Sequence, residues 1–196
     1  MSLTAPRVIR VEDVPAQPWR NGGGRTRELL TRPAGGADWK LRISLAEVDR
    51  EGPFSAFPGI ERWFSVIDGA GVRLSLEGRE RVLQPGHAPL YFRGESPVYC
   101  RLIEGPTTDL NLMHVPGRGL MQAVESGVAW RAALPGRGIF TRSAGRLQIA
   151  DADERRLAGH CLLWLDEAAD VAWTFTSDEP GSLPPALWLG YAAQTD

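Results

Sequence analysis

Lysine is nearly absent from this 196-residue chain: Lys40 is the single one among 22 basic residues, so arginine supplies the rest. Histidine is scarce as well, and His87, His114 and His160 lie so far apart that no two share a motif. The two cysteines, Cys100 and Cys161, each sit in an apolar stretch and read as buried free thiols, not as a disulfide framework. No segment approaches eighteen uninterrupted apolar residues, and the opening MSLTAPRVIRVEDV has no basic region followed by an apolar run. A cytoplasmic protein with no membrane partner is therefore expected. The charge balance is also weak, at −2 with a pI near 6.0, and the arginines form no basic run. That excludes the electrostatic footprint of a nucleic-acid binder.

Glycine and proline, by contrast, are abundant. Twenty-two glycines and fifteen prolines leave little room for long helices, and the apolar residues between them alternate over short stretches. An all-β fold with few short helices follows. Trp39 to Val48 is the clearest strand, with Trp39, Leu41, Ile43 and Leu45 on one face and Lys40, Arg42 and Ser44 on the other. Further strands are expected at 25–31, 63–67, 72–76, 89–92, 98–103 and 109–115. After Pro116 the texture changes: 121–134 is ambiguous between helix and strand, and 138–141, 146–149, 160–165, 171–175 and 187–191 repeat the earlier rhythm. The segment DADERR, 151–156, reads as a solvated charged turn. The expected division is a first barrel over 1–115, carrying the main motif blocks, and a smaller one over 116–196 packed closely on it.

Several kinds of chemistry find no support in the residues. Ser44, Ser55 and Ser65 lack a G-x-S-x-G elbow, and neither cysteine adjoins a motif that would lower its pKa. Gly22-Gly23-Gly24 exposes consecutive backbone N–H groups but is not followed by the Lys-Ser/Thr of a phosphate loop. No nucleotide, metal or other cofactor is expected.

Two blocks are too rich in specific side chains to be only turns: PWRNGGGRTRE at 18–28 and GPFSAFPGIER at 52–62. They combine arginine forks, an amide, hydroxyls and aromatic walls, the inventory that holds a small carboxylic acid. A tight connection flanked by solvated arginines is the bland alternative.

The segments ERWFSVIDGAGVRLSL (61–76) and VLQPGHAPLYF (82–92) resemble the cupin barrel, in which a strand enters a Gly-containing turn and a Pro-Gly turn precedes a later strand. Metal-dependent cupins place two histidines one residue apart where this chain has Arg62 and Trp63, and neither can ligate. His87 takes the place of a carboxylate in the Pro-Gly turn and reads as a surface residue.

More specifically, PWRNGGGRTRE, Trp39 with Arg42-Ile43-Ser44-Leu45-Ala46, Gly52-Pro53-Phe54-Ser55 with Phe57-Pro58-Gly59, and Asp109-Leu110-Asn111-Leu112-Met113 resemble, in order, the HutD/Ves family. The resemblance covers about the first 115 residues. It implies a bicupin, that is, a double cupin-like β-barrel to whose assembly the chain start contributes. It also implies a non-catalytic modulator of histidine utilisation that binds a pathway intermediate such as N-formylglutamate.

In a barrel the polar face of an alternating strand lines a cavity, and Met113 on that face favours a pocket over bulk water. The expected ligand-binding residues are Trp19, Arg20, Asn21, Arg25, Thr26, Glu28, Arg42, Ser44, Phe54, Asn111 and Met113. Arg42 would take the ligand carboxylate, with Arg20 or Arg25 as a second anchor. Glu28, Glu47 and Asp109 would orient the arginines. The competing reading is a metal-independent isomerase or lyase acting on a small carboxylic acid, with Glu28 or Glu47 as base. Arginine neighbours would lower such a base's pKa, which argues against it. A third reading is a protein-interaction module bearing an exposed apolar patch. A homodimer is the default assembly.

Overall fold

The structure, a computed structural model, describes residues 6–35, 38–166, 169–179 and 181–193. Regular structure among them is β-strand, apart from one 3-10 turn at Val11–Asp13. None of their helices is long and apolar enough to cross a membrane. The chain divides into two compact units, Val14–Pro116 and a second made of Met1–Asp13 with Gly117–Asp196. The first strand, β1 (Arg7–Arg10), pairs antiparallel with a strand of the C-terminal half, so the chain start belongs with that half.

The Val14–Pro116 unit holds β2 (Gln17–Pro18), β3 (Gly24–Arg32), β4 (Leu41–Val48), β5 (Gly52–Pro53), β6 (Glu61–Asp68), β7 (Val72–Leu76), β8 (Arg79–Leu83), β9 (Leu90–Arg93), β10 (Val98–Leu102) and β11 (Thr107–His114). They form a six-stranded sheet, β2-β3-β4-β11-β6-β9, and a four-stranded sheet, β5-β10-β7-β8. Between the two sheets lies a core of Phe64, Val66 and Phe92 from the first and Val72, Leu74, Leu76, Leu83, Val98 and Cys100 from the second. Burying each large side chain stabilises the fold by about 1.5–3 kcal/mol. The turn from β6 to β7 needs its glycines. Gly71 has φ +110°, and a Cβ there would lie 2.4 Å from the carbonyl oxygen of Leu83.

The second unit continues with β12 (Gly117–Ala123), β13 (Ala129–Trp130), β14 (Gly136–Thr141), β15 (Gly145–Ile149), β16 (Arg155–Leu157), β17 (Cys161–Leu165), β18 (Trp173–Ser177) and β19 (Ala186–Ala193). Its sheets run β1-β17-β14-β19-β12 and β13-β18-β15-β16. Read backwards from β12, the first of these repeats β4-β11-β6-β9, and the second repeats β5-β10-β7-β8. The core here is built on tryptophan: Trp130 stacks on Trp188 at 4.8 Å, and Trp173 meets both edge-on.

The all-β expectation is met, with some differences. Each unit is a pair of sheets and not a closed barrel. The ambiguous 121–134 segment resolves as strand β12, a loop and the short β13. DADERR is not wholly a turn, because Arg155 and Arg156 open β16. Strands β1, β5 and β8 escaped the alternation pattern because they are short or exposed on most of their length.

Candidate functional site

The inward face of the six-stranded sheet carries Thr26 on β3, Arg42, Ser44, Ala46 and Val48 on β4, Arg62 and Phe64 on β6, and Asp109, Asn111 and Met113 on β11. The register fixes this set, because Asn111 lies opposite both Ser44 and Phe64, and Met113 opposite both Arg42 and Arg62. With Gln17 to Asn21 and with Pro53, Phe54, Ser55 and Phe57 these residues line a cavity of about 490 Å³. A cavity of that size accommodates a small organic molecule.

Arg62 dominates the site. It is 8% exposed, its Nε and Nη2 donate to Asn111 Oδ1 at 2.9 and 2.6 Å, and its guanidinium lies 4.5 Å from the Phe54 ring centre and 5.3 Å from that of Phe92. It forms no ion pair with any carboxylate among the described residues. Burial lowers its pKa to about 10, so the group stays cationic at neutral pH. Ring faces and one amide oxygen compensate a buried charge only in part, because they carry no formal charge. The Asp109 carboxylate opposes the effect of burial on this arginine without forming a contact ion pair with it.

Asp109 is the one acidic residue in the cavity wall. It is fully buried, its Oδ2 accepts from Thr107 Oγ1 at 3.2 Å, and its Oδ1 has no hydrogen-bond partner. Burial raises its pKa to about 7, against the opposing pull of Thr107 and Arg62. Nearby, burial also pushes the Cys100 thiol up to about 12, which keeps it neutral and inert.

Nine of the expected residues line the cavity: Trp19, Arg20, Asn21, Thr26, Arg42, Ser44, Phe54, Asn111 and Met113. Some of them already have internal partners. Trp19 Nε1 donates to Thr26 Oγ1 at 2.7 Å, and Asn21 Oδ1 accepts from Gly23 N at 3.0 Å, closing the turn between β2 and β3. The glycine run is thus a tight connection. Gly24 must be small, because a Cβ would sit 2.2 Å from the Glu47 carbonyl oxygen.

The structure does not bring the remaining two into the cavity wall. Glu28 accepts from Arg42 Nε at 3.0 Å and so orients that arginine, as expected. Arg25 points to the opposite face, where it pairs with Glu47; Arg27 also reaches Glu47, at 3.3 Å. Glu47 consequently has a lowered pKa, with the Arg25 hydrogen bond as the largest cause. It lies on the wrong face to act as a base toward the cavity. Asp109, expected to orient an arginine, forms no contact ion pair with one among the described residues.

Arg62 was missed as a site residue although its signal was present: in ERWFSV it shares strand phase with Phe64 and Val66, an arginine on an otherwise apolar inward face. No group of three or more metal-binding side chains occurs among the described residues. His87 is exposed in its turn, and His114 is buried 3.5 Å from Glu61.

Comparison with known proteins places this geometry. The model of the HutD family matches residues 11–183. An uncharacterized 21.2 kDa protein from the hutC 3′ region of Pseudomonas putida is 41% identical over 114 residues, 57% of this chain and 60% of that one. Protein Ves of Citrobacter koseri is 36% identical over 104 residues, 53% of this chain and 54% of that one. The matches thus span little more than half the length of these curated relatives. The solved structure of HutD from Pseudomonas fluorescens SBW25, in a formate condition, superposes with a TM-score of 0.83 at 29% identity over 97% of this chain and 100% of that one. An oxalate decarboxylase variant of Bacillus subtilis, a cupin-fold protein, superposes at 0.62 with 10% identity over 94% of this chain and 76% of that one. This last likeness is of fold alone, and the two-sheet units are cupin jelly rolls.

Proposed function

The chain belongs to the HutD family, and from that premise we propose that it is a non-catalytic binding protein for a small carboxylic acid, modulating histidine utilisation. N-formylglutamate is the leading ligand. One observation carries the reading: Arg62 is a buried guanidinium with no contact ion pair among the described residues, facing a cavity of about 490 Å³. Arg42 and Arg20 line the same cavity, so three cations face one buried acid. An anion placed at Arg62 would complete the charge pairing that the fold leaves open. The ligand's apolar portion would pack on Trp19, Phe54 and Met113.

A second reading is a metal-independent isomerase or lyase, favoured by Asp109. Its carboxyl, raised to about 7, is matched to proton transfer at neutral pH and lies in the same cavity wall. The base in that reading is Asp109, since Glu28 and Glu47 are held by arginines. Incubating the pure protein with formate, N-formylglutamate, urocanate and histidine, while recording melting temperature and product formation, separates the two. Stabilisation without conversion supports the binding protein, and conversion supports the enzyme. A flat melting temperature and no product with all four sinks both.

A further inference from the structure

Asp109 and Arg62 are the two buried ionisable groups of opposite sign in the wall of the first cavity, on neighbouring strands of one sheet. Asp109 faces inward from β11, fully buried, opposite Ala46 of β4 and Val66 of β6. Arg62 is rooted opposite Met113, but its guanidinium reaches along the sheet to the amide of Asn111, the inward residue next to Asp109. Same-face neighbours on a strand lie about 7 Å apart. Carboxyl and guanidinium therefore feel each other's charge without touching, and each shifts the other's ionisation toward the charged form.

The other groups facing Asp109 are few. Thr107 Oγ1 donates to Oδ2, and Oδ1 accepts from nothing among the described residues. The charged groups of the same wall are Arg42 on β4, held by Glu28, and Arg20 in the turn between β2 and β3. From β10 comes the Cys100 thiol, which burial keeps neutral. A buried carboxylate with one oxygen unsatisfied and no contact ion pair is disfavoured against its neutral form. With its pKa raised to about 7 by that burial, Asp109 has both charge states within reach at neutral pH. Ionised, it offers Arg62 a countercharge from inside the fold. Protonated, it leaves the Arg62 charge unmatched, while Arg62 Nη1, which donates to none of the described residues, retains some accessible surface.

We propose that the cavity takes its anion together with a proton: Asp109 and the bound anion are alternative countercharges for Arg62, so anion binding drives uptake of one solvent proton by Asp109. This rests on the reading of the first cavity as an anion site. Loading then leaves the net charge of the cavity unchanged. The coupling needs no contact between ligand and Asp109, because it acts through charge. An anion at Arg62 repels the Asp109 carboxylate and so raises its pKa, and by reciprocity the protonated Asp109 favours the anion by the same factor. At a separation of about 8 Å in a wall of intermediate dielectric, that factor is on the order of 10-fold or more. Affinity is highest below the pKa of the free protein, falls as pH rises through it, and levels off once Asp109 is ionised in the complex as well. A ligand carboxylate, with an ordinary pKa of about 4, and Arg62, at about 10, both stay charged from about pH 6 to about pH 9. Asp109 is the facing group that titrates in that range.

The test is calorimetric titration of the full chain with N-formylglutamate from about pH 6 to about pH 9, repeated near neutrality in buffers of different ionisation enthalpy. Affinity should fall by about 10-fold across the range, and the buffer dependence of the heat should report uptake of about half a proton per site between the free and bound pKa values. Asp109→Asn should bind with an affinity that no longer varies with pH and with no proton uptake. Should that variant fold poorly, the side-chain carboxyl ¹³C resonance of Asp109 in the unsubstituted protein gives the same answer: its titration midpoint should move upward when the site is saturated. Absence of binding at every pH overturns this inference and the anion-site reading together. Binding with flat affinity and no proton uptake overturns this inference alone, as does a carboxyl midpoint that the ligand leaves in place. Uptake that persists in a folded Asp109→Asn protein assigns the proton to another group and overturns it too.

Discussion

Arg62 donates two hydrogen bonds to the single oxygen Oδ1 of Asn111, at 2.9 and 2.6 Å, and this amide is its only hydrogen-bonding partner among the described residues. A neutral amide fixes the guanidinium's direction without neutralising it. The cation is therefore pre-oriented and still available to an anion, which is the property a carboxylate receptor needs.

Replacing Arg62 by methionine should keep the fold and leave the ligand-free protein as stable or more stable, by about 1–2 kcal/mol, because a buried unpaired charge gives way to an apolar chain among Phe54, Phe64 and Phe92. The same variant should lose all stabilisation by formate or N-formylglutamate. Urea denaturation with and without the acid measures both. A variant that is several kcal/mol less stable but still binds would show that Arg62 serves the fold.

Asn111→Asp places a carboxylate where the amide oxygen now meets Arg62. The new internal pair should compete with the ligand and lower anion affinity by about 10–100-fold, corresponding to the ~1.5–3 kcal/mol of a charge-assisted hydrogen bond. Calorimetric titration reads this directly, and unchanged affinity would place the ligand elsewhere.

Asp109 gives the pH dependence of stability. Burial raises its carboxyl to about 7, above its unfolded value near 4. A raised folded pKa means that its contribution is fully present below the unfolded value and is lost as pH climbs through the folded one. Stability should therefore decline from about pH 4 to about pH 7 and level off above, and Asp109→Asn should remove that decline. Denaturation midpoints at four or five pH values, compared between the two proteins, decide it; identical slopes would exclude Asp109 as the source.

Arg42 and Arg25 should behave oppositely. Arg42→Ala removes a cation from the cavity wall and should abolish or sharply reduce ligand-induced stabilisation with the fold intact. Arg25→Ala breaks only the pair with Glu47 on the other face and should leave ligand binding unchanged. Melting-temperature shifts with N-formylglutamate compare the two, and equal losses would contradict the assignment of faces.

Much of this was legible in the sequence. Alternation in LRISLAEV and TDLNLMH has period two, so the faces that carry Arg42, Ser44, Asn111 and Met113 follow from parity alone. Glycine and proline spacing gave most strand positions, since these residues interrupt pairing wherever they fall. The same parity sets Arg25 on the face opposite Thr26, whereas its pairing with Glu47 and the engagement of Glu28 by Arg42 depend on a strand some twenty residues away.

What the sequence determined by itself was therefore local: an all-β chain, its alternating faces, and the two polar blocks at 18–28 and 52–62. Tertiary structure alone decided that β1 joins the C-terminal sheet, that Arg62 rather than Arg42 lies deepest among the rings, and that Asp109 is buried with no contact ion pair among the described residues. The physical reason is that strand parity is a property of one segment, whereas burial and charge pairing are properties of segments far apart in the chain. Arg62 meets its amide 49 residues away, a distance over which no sequence period reports.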